Sequence, residues 1–162
     1  MRFVLLDRIL ELTPGQSITA VKNLSLAEEY LADHFPGFPV MPGVLMLEAL
    51  IQAGAWVVRT GEDFANSTVL LKETRAVRYN NFVAPGMTLR LEMKLKKKTD
   101  RLWDFQGTGT VDGNSAVSAR VLLESFNLAD RNPELVNADE QQRQFWKTLL
   151  PQLQVKSSET LS

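Results

Sequence analysis

His34 is the only histidine in this 162-residue chain, and Glu48 follows it fourteen positions later inside an apolar run. An imidazole and a carboxyl group are the side chains most able to trade protons near neutral pH. Between them the chain reads Phe-Pro-Gly-Phe-Pro-Val-Met-Pro-Gly, where Pro36, Pro39 and Pro42 fix φ and Gly37 and Gly43 free it. Residues 34–43 are therefore expected to form a rigid loop that holds something in place. From Gly43 to Arg59 proline is absent, and Pro42 stands where a first helical turn accepts it, so a helix should begin there. Its exposed N–H groups, near Gly43 and Val44, form a site that favours negative charge. A base, an acid and an oxyanion-binding helix end in one short stretch suit removal of a proton beside a carbonyl with loss of a β-hydroxyl.

The predicted helix carries Val44, Leu45, Met46, Leu47, Ala49, Leu50, Ile51, Ala53, Ala55, Trp56, Val57 and Val58, which leaves it apolar on every side. It is shorter than the roughly 20 apolar residues of a bilayer span, and Glu48 and Gln52 interrupt it, so a buried core helix is expected. Burial favours the protonated form of Glu48, and Gln52 lies one turn further along the same face. Plainer readings remain open on spacing alone: a polar pair satisfied by buried backbone, and a structural histidine.

Short strands surround this helix. Residues 3–12 and 17–24 flank the turn Thr13-Pro14-Gly15-Gln16 and read as a hairpin. Ser25 with Glu28 reads as a capping box for a short helix over residues 26–31. Gly61 should stop the central helix as a left-handed cap. Strands are then predicted over 68–72, 75–83, 87–98, 102–111 and 115–126, with turn signals at Pro85-Gly86, Thr99-Asp100 and Asp112-Gly113. Leu89, Leu91, Met93 and Leu95 alternate with Arg90, Glu92, Lys94 and Lys96, so one face of that strand is buried and one is wet. The plan is α+β, with an antiparallel sheet curled round one long helix to cover its apolar sides.

The stretch His-Phe-Pro-Gly-x-Pro-Val-Met-Pro-Gly-Val-Leu, followed by Glu-Ala-Leu-x-Gln, closely resembles the β-hydroxyacyl-acyl carrier protein dehydratases of fatty acid synthesis. The similarity continues through residues 77–86 and 107–113 and covers roughly residues 5–126. A segment such relatives carry before the first strand has no counterpart, and Asn80, Asn81 and Phe82 stand where they have basic residues and a proline. The resemblance implies the hotdog fold, with residues 1–126 as the dehydratase domain and 127–162 as a C-terminal extension. It implies catalytic roles for His34 as base and Glu48 as acid, and a carbonyl-oxygen site at Gly43 and Val44. Gln52 would orient Glu48 or the water. It also implies an acyl carrier protein as partner and a homodimer with shared active sites, or a trimer of such dimers. Glu48 rather than Asp resembles the branch that dehydrates without isomerising. Two rivals stay open: a hotdog thioesterase, and a non-catalytic acyl-binding protein.

Composition narrows the classes further. The formal net charge of −1 argues against a nucleic-acid binder. The absence of cysteine removes disulfides and thiolate chemistry, and one histidine excludes a histidine-rich metal site, so no metal or cofactor is expected. The opening residues have too short an apolar run for a signal peptide, and no membrane span is read, so a cytoplasmic protein is expected. Between Lys72 and Arg101 there are nine basic and three acidic residues, a net of +6, against −7 elsewhere. This is either a solvated strand face or a dock for an acidic carrier protein, with Arg75, Arg78, Lys94, Lys96, Lys97, Lys98 and Arg101 as candidates. Met46, Phe38, Phe82 and Met87 could line an acyl channel, although apolar residues at such positions are more often core. In the tail, Asn137 with Glu140 should cap a helix whose stripe of Phe145, Trp146, Leu149, Leu150 and Leu153 packs on the outer face of the sheet or on a neighbouring subunit. A mobile partner-binding helix is the alternative.

Overall fold

The computed structural model describes residues 3–154. In chain order the elements are β1 (Arg8–Thr13), β2 (Ser17–Asn23), α1 (Gly43–Gly61), β3 (Thr68–Tyr79), β4 (Thr88–Thr99), β5 (Leu102–Val111), β6 (Asn114–Phe126) and α2 (Val136–Leu153). The six strands form one antiparallel sheet in the order β1-β2-β4-β5-β6-β3. This sheet curls round α1, which touches every strand from β2 to β6.

Alternation explains the wrap. On β4, Leu89, Leu91 and Met93 are fully buried while Arg90 and Lys94 face out. On β5, Trp103 and Phe105 point inward, followed by Gly107 on the same face. A Cβ at Gly107 would lie 2.5 Å from Met93 Sδ and 3.3 Å from Leu50, so the absent side chain lets α1 settle close to the sheet. Each large apolar side chain buried here contributes about 1.5–3 kcal/mol relative to exposure. Among the described residues α1 is the one helix long and apolar enough to cross a membrane, but more than half of its apolar window lies inside the protein.

Several local expectations need correction. The first strand starts at Arg8, not residue 3; the chain before it runs along α1, held by the Gln52 side chain. No helix starts at residue 26, and Glu28 reaches the Ser25 N–H at only 3.5 Å because it is engaged by Lys22 at 2.6 Å and by the Tyr30 hydroxyl. A four-residue 3₁₀ turn, Glu29–Ala32, stands there instead. Gly61 lies within α1, and the left-handed residues are Asp63 and Phe64. Its need for glycine is close approach, since a Cβ would meet Gly15 Cα at 2.6 Å. The two strands expected over 68–72 and 75–83 are one, β3, with bulges after Leu71 and after Arg75 and with Ala76 at φ 50°.

The tail also departs from expectation. Asn137 lies inside the first turn of α2; Asn132 does the capping, accepting from Glu134 N–H at 3.1 Å to open a 3₁₀ turn that runs into the helix. Pro151 is inside α2, which continues to Leu153. The apolar stripe does not cover the outer face of the sheet. Trp146 meets Trp56 of α1 edge-to-face at 5.5 Å, Leu153 joins the core, and Gln154 bridges to Ile9 on the edge strand β1. A curled sheet leaves one side of its helix uncovered, and α2 fills part of that side. The buried Asp139 locks it in place, accepting from the Ser67 hydroxyl and from the N–H groups of Leu128 and Ala129.

Candidate functional site

The loop from His34 to Pro42 folds back on itself through paired hydrogen bonds. Phe35 and Phe38 exchange N–H···O bonds of 3.1 and 2.9 Å, with Gly37 at φ 77° making the turn between them. Val40 N–H donates to His34 O at 3.1 Å, and Met41 N–H donates to Val83 O at 2.8 Å, which ties the loop to the segment after β3. The His34–Phe35 peptide bond is cis, and the two rings stack at 4.3 Å.

His34 Nδ1 lies 3.0 Å from the Val40 carbonyl. A carbonyl oxygen only accepts, so Nδ1 carries a proton, and in the neutral ring Nε2 is left to present a lone pair, the form required of a base. His34 lines a cavity of about 490 Å³ together with Val40, Met41, Gly43, Val44, Met46 and residues 79–82. Gly43 and Val44 begin α1, behind Pro42 and without a side-chain cap. The helix's own bonds start with Leu45 and Met46 N–H to Pro42 O, so the two preceding N–H groups remain for a ligand. Tyr79 covers this tip, and a Cβ on Gly43 would stand 3.0 Å from its ring.

Glu48 faces elsewhere. It lines a second cavity, of about 300 Å³, shared with Phe3, Val4, Ile51, Gln52, Ala55, Trp56, Arg59, Val69, Gln142 and Trp146. Gln52 Nε2 donates to Glu48 Oε1 at 3.3 Å and to Phe3 O at 2.9 Å, while its Oε1 accepts from Leu5 N–H. Gln52 is thus held from two sides and occupies one carboxyl oxygen of Glu48, leaving Oε2 for other chemistry. The fully enclosed apolar setting expected for Glu48 is not found; it is half-buried. Within one chain His34 and Glu48 therefore line different cavities.

The candidate cations divide into groups. Arg78 directly precedes Tyr79 of the His34 cavity. Arg75 is held by Glu73 at 2.8 and 2.9 Å, and Lys94 lies midway along β4. Lys96, Lys97, Lys98 and Arg101 are exposed at the other end of the sheet. Arg90 pairs across to Thr110, near the Ser115 that Asn80 and Asn81 grip, whereas Lys98 is eight residues further up the strand, about 27 Å at strand rise. Arg101 pairs with Asp130 at 3.0 Å, and Lys98 lies 4.5 Å from the Trp103 ring. Of the apolar channel candidates, Met46 and Phe82 line the His34 cavity and Phe38 packs edge-to-face on Phe82 at 5.7 Å. Met87 instead accepts from Ala84 N–H in the turn before β4. Sequence reasoning missed the Val40 carbonyl, a backbone group with no signature, and Arg59. Arg59 did carry a signal: with Glu48 and Gln52 it is the third polar residue on one stripe of an apolar helix.

Residues 1–120 fit the family model described as a FabA-like domain. The chain is 43% identical over 120 residues to the protein named 3-hydroxyacyl-[acyl-carrier-protein] dehydratase FabZ of Oenococcus oeni, covering 74% of this chain and 86% of that one. It is 40% identical over 130 residues to the protein of the same name from Oleidesulfovibrio alaskensis, covering 79% and 84%. In architecture it is similar to the dehydratase heterocomplex ApeI:P from Xenorhabdus doucetiae, with a TM-score of 0.67 at 21% identity over 82% of this chain and 90% of that one.

Proposed function

The chain belongs to the FabA-like domain family, and we propose that its reaction is the dehydration of a (3R)-3-hydroxyacyl group on acyl carrier protein to the trans-2-enoyl thioester. In this reading His34 Nε2 takes the proton from the carbon beside the thioester carbonyl. The Gly43 N–H, with Val44 next to it, receives the carbonyl oxygen as negative charge develops there. Glu48 gives a proton from Oε2 to the β-hydroxyl, which leaves as water, while Gln52 keeps Oε1 occupied and the carboxyl in one orientation. The observation that carries this reading is the free Nε2 of His34 in one cavity with the unclaimed N–H groups of the α1 tip.

Since His34 and Glu48 line different cavities of one chain, a complete site takes His34 from one copy and Glu48 from another, in a homodimer that can pair further. Docking of the acidic carrier falls to Arg78 first, the candidate beside the His34 cavity, with the more distant lysines acting on encounter only. The setting of this work is the cytoplasm.

Incubating the protein with a 3-hydroxyacyl carrier protein should raise enoyl absorbance without release of free thiol. Thiol release without enoyl formation would instead mark a thioesterase and overturn the proposal. Mixing inactive His34→Ala and Glu48→Gln chains should restore about a quarter of the activity, as expected for sites shared across a two-fold interface. No recovery after verified subunit exchange would mean that each chain carries its own site.

A further inference from the structure

Glu48 and Arg59 stand at two ends of one cavity. Glu48, Gln52, Ala55, Trp56 and Arg59 follow one stripe of α1, and at helical rise the first and last are about 16 Å apart. Arg59 is only 7% exposed, yet its Nε is buried without a hydrogen-bond partner, and no carboxylate among the described residues forms an ion pair with it. Its guanidinium lies 3.8 Å from the ring centre of Trp146 and 5.4 Å from that of Trp56. Stacking of this kind serves the face of the guanidinium plane, whereas all its N–H donors lie in the plane and are left for acceptors. Burial lowers its pKa to about 9, so it is still a cation at neutral pH.

The far wall of this cavity comes from outside the family-model match. Gln142 and Trp146 come from α2, which lies beyond the residues that fit the family model. The helix that closes the cavity thus also supplies the ring on which the guanidinium rests. A purely apolar terminus would leave a methyl group against a charged, unsatisfied donor set, whereas a carboxylate matches the guanidinium in charge and in paired geometry.

We propose that Arg59 is the terminal subsite for an acyl chain that ends in an oxygen acceptor, a carboxylate above all, and whose 3-hydroxyacyl head reaches Glu48. The proposal rests on the dehydratase reading for the identity of the head group, and on the Arg59 cavity for the tail. It makes the enzyme selective for ω-carboxyacyl chains over methyl-ended chains of equal length.

Two measurements separate the parts. The first is calorimetric binding of non-hydrolysable pantetheine amides, ω-carboxynonanoyl against decanoyl, to the full chain and to Arg59→Met, with folding checked by thermal melting. The carboxylate-ended probe should bind at least about tenfold tighter to the native chain, the advantage should vanish in Arg59→Met, and Arg59→Lys should recover part of it. Equal or tighter binding of the decanoyl probe to the native chain, or a preference that Arg59→Met leaves intact, overturns the subsite. The second is turnover of the matching 3-hydroxyacyl carrier proteins, where kcat/KM should follow the same order. Enoyl formation that favours the methyl-ended chain sinks the subsite and leaves the dehydratase standing. The expected binding order without any enoyl product keeps the subsite and removes the reaction.

Discussion

At its N-terminal tip α1 is left open and polar, whereas its C-terminal half is roofed by α2 and packed against tryptophan. The tip has Val44 exposed, two N–H groups unclaimed and a histidine held by one backbone carbonyl. The other end has Ala55, Trp56, Val57 and Val58 buried, with Trp146 packed on Trp56 and Leu153 in the same core cluster. One helix thus does two jobs. Groups left unsatisfied are available to a substrate, and the stability lost by leaving them so is made up where the same helix is covered. Arg59 is the exception, an unsatisfied polar group at the covered end.

Substitutions at each end should show this division. At the tip His34→Ala, and in the second cavity Glu48→Gln, should lower kcat by about 10²–10⁴-fold while the melting temperature barely moves. Near-normal turnover in either variant removes it from the mechanism. At the covered end, Leu153→Ala should cost about 2–4 kcal/mol in urea unfolding through the cavity it leaves under α2. A cost below a few tenths would mean that α2 is not integral to the core.

Asp139→Asn should cost about 1–3 kcal/mol, because the carboxylate satisfies two N–H groups and the Ser67 hydroxyl. Burial alone would raise its pKa, but the Ser67 hydroxyl, the two backbone N–H groups and Arg143 outweigh that and hold it below the ordinary aspartate value. The unfolded chain therefore takes up this proton first as pH falls. The stabilisation is complete above the ordinary aspartate pKa of about 3.9 and is lost as pH drops through the lower folded value. Tryptophan fluorescence should report loosening of α2 at acid pH, earlier in scans of Ser67→Ala. The smallest effect belongs to the sheet's outer face, where Arg75→Ala should leave the urea midpoint essentially unmoved, since Arg75 and Glu73 pair in solvent.

Much of the fold was legible because periodicity is local. The alternation on β4, the Asp112-Gly113 turn with both residues at positive φ, and the helix that follows three prolines are each set by neighbouring residues. Boundaries were less legible where long-range contact overrode local preference: Gly61 looked like a cap and serves a close approach to Gly15, and Glu28 looked like a cap partner and is claimed by Lys22.

The candidate site divides in the same way. Residue types and spacing by themselves pointed to an imidazole, a carboxyl group and a helix tip with free N–H groups, because those properties belong to the side chains and to the helix end. Only the tertiary structure decided that His34 and Glu48 line separate cavities, that Val40 sets the tautomer, and that the tail helix closes the Glu48 cavity beside a buried Arg59. Those outcomes depend on which side of α1 the curled sheet leaves bare, which follows from how the whole sheet closes and which no local stretch of sequence contains.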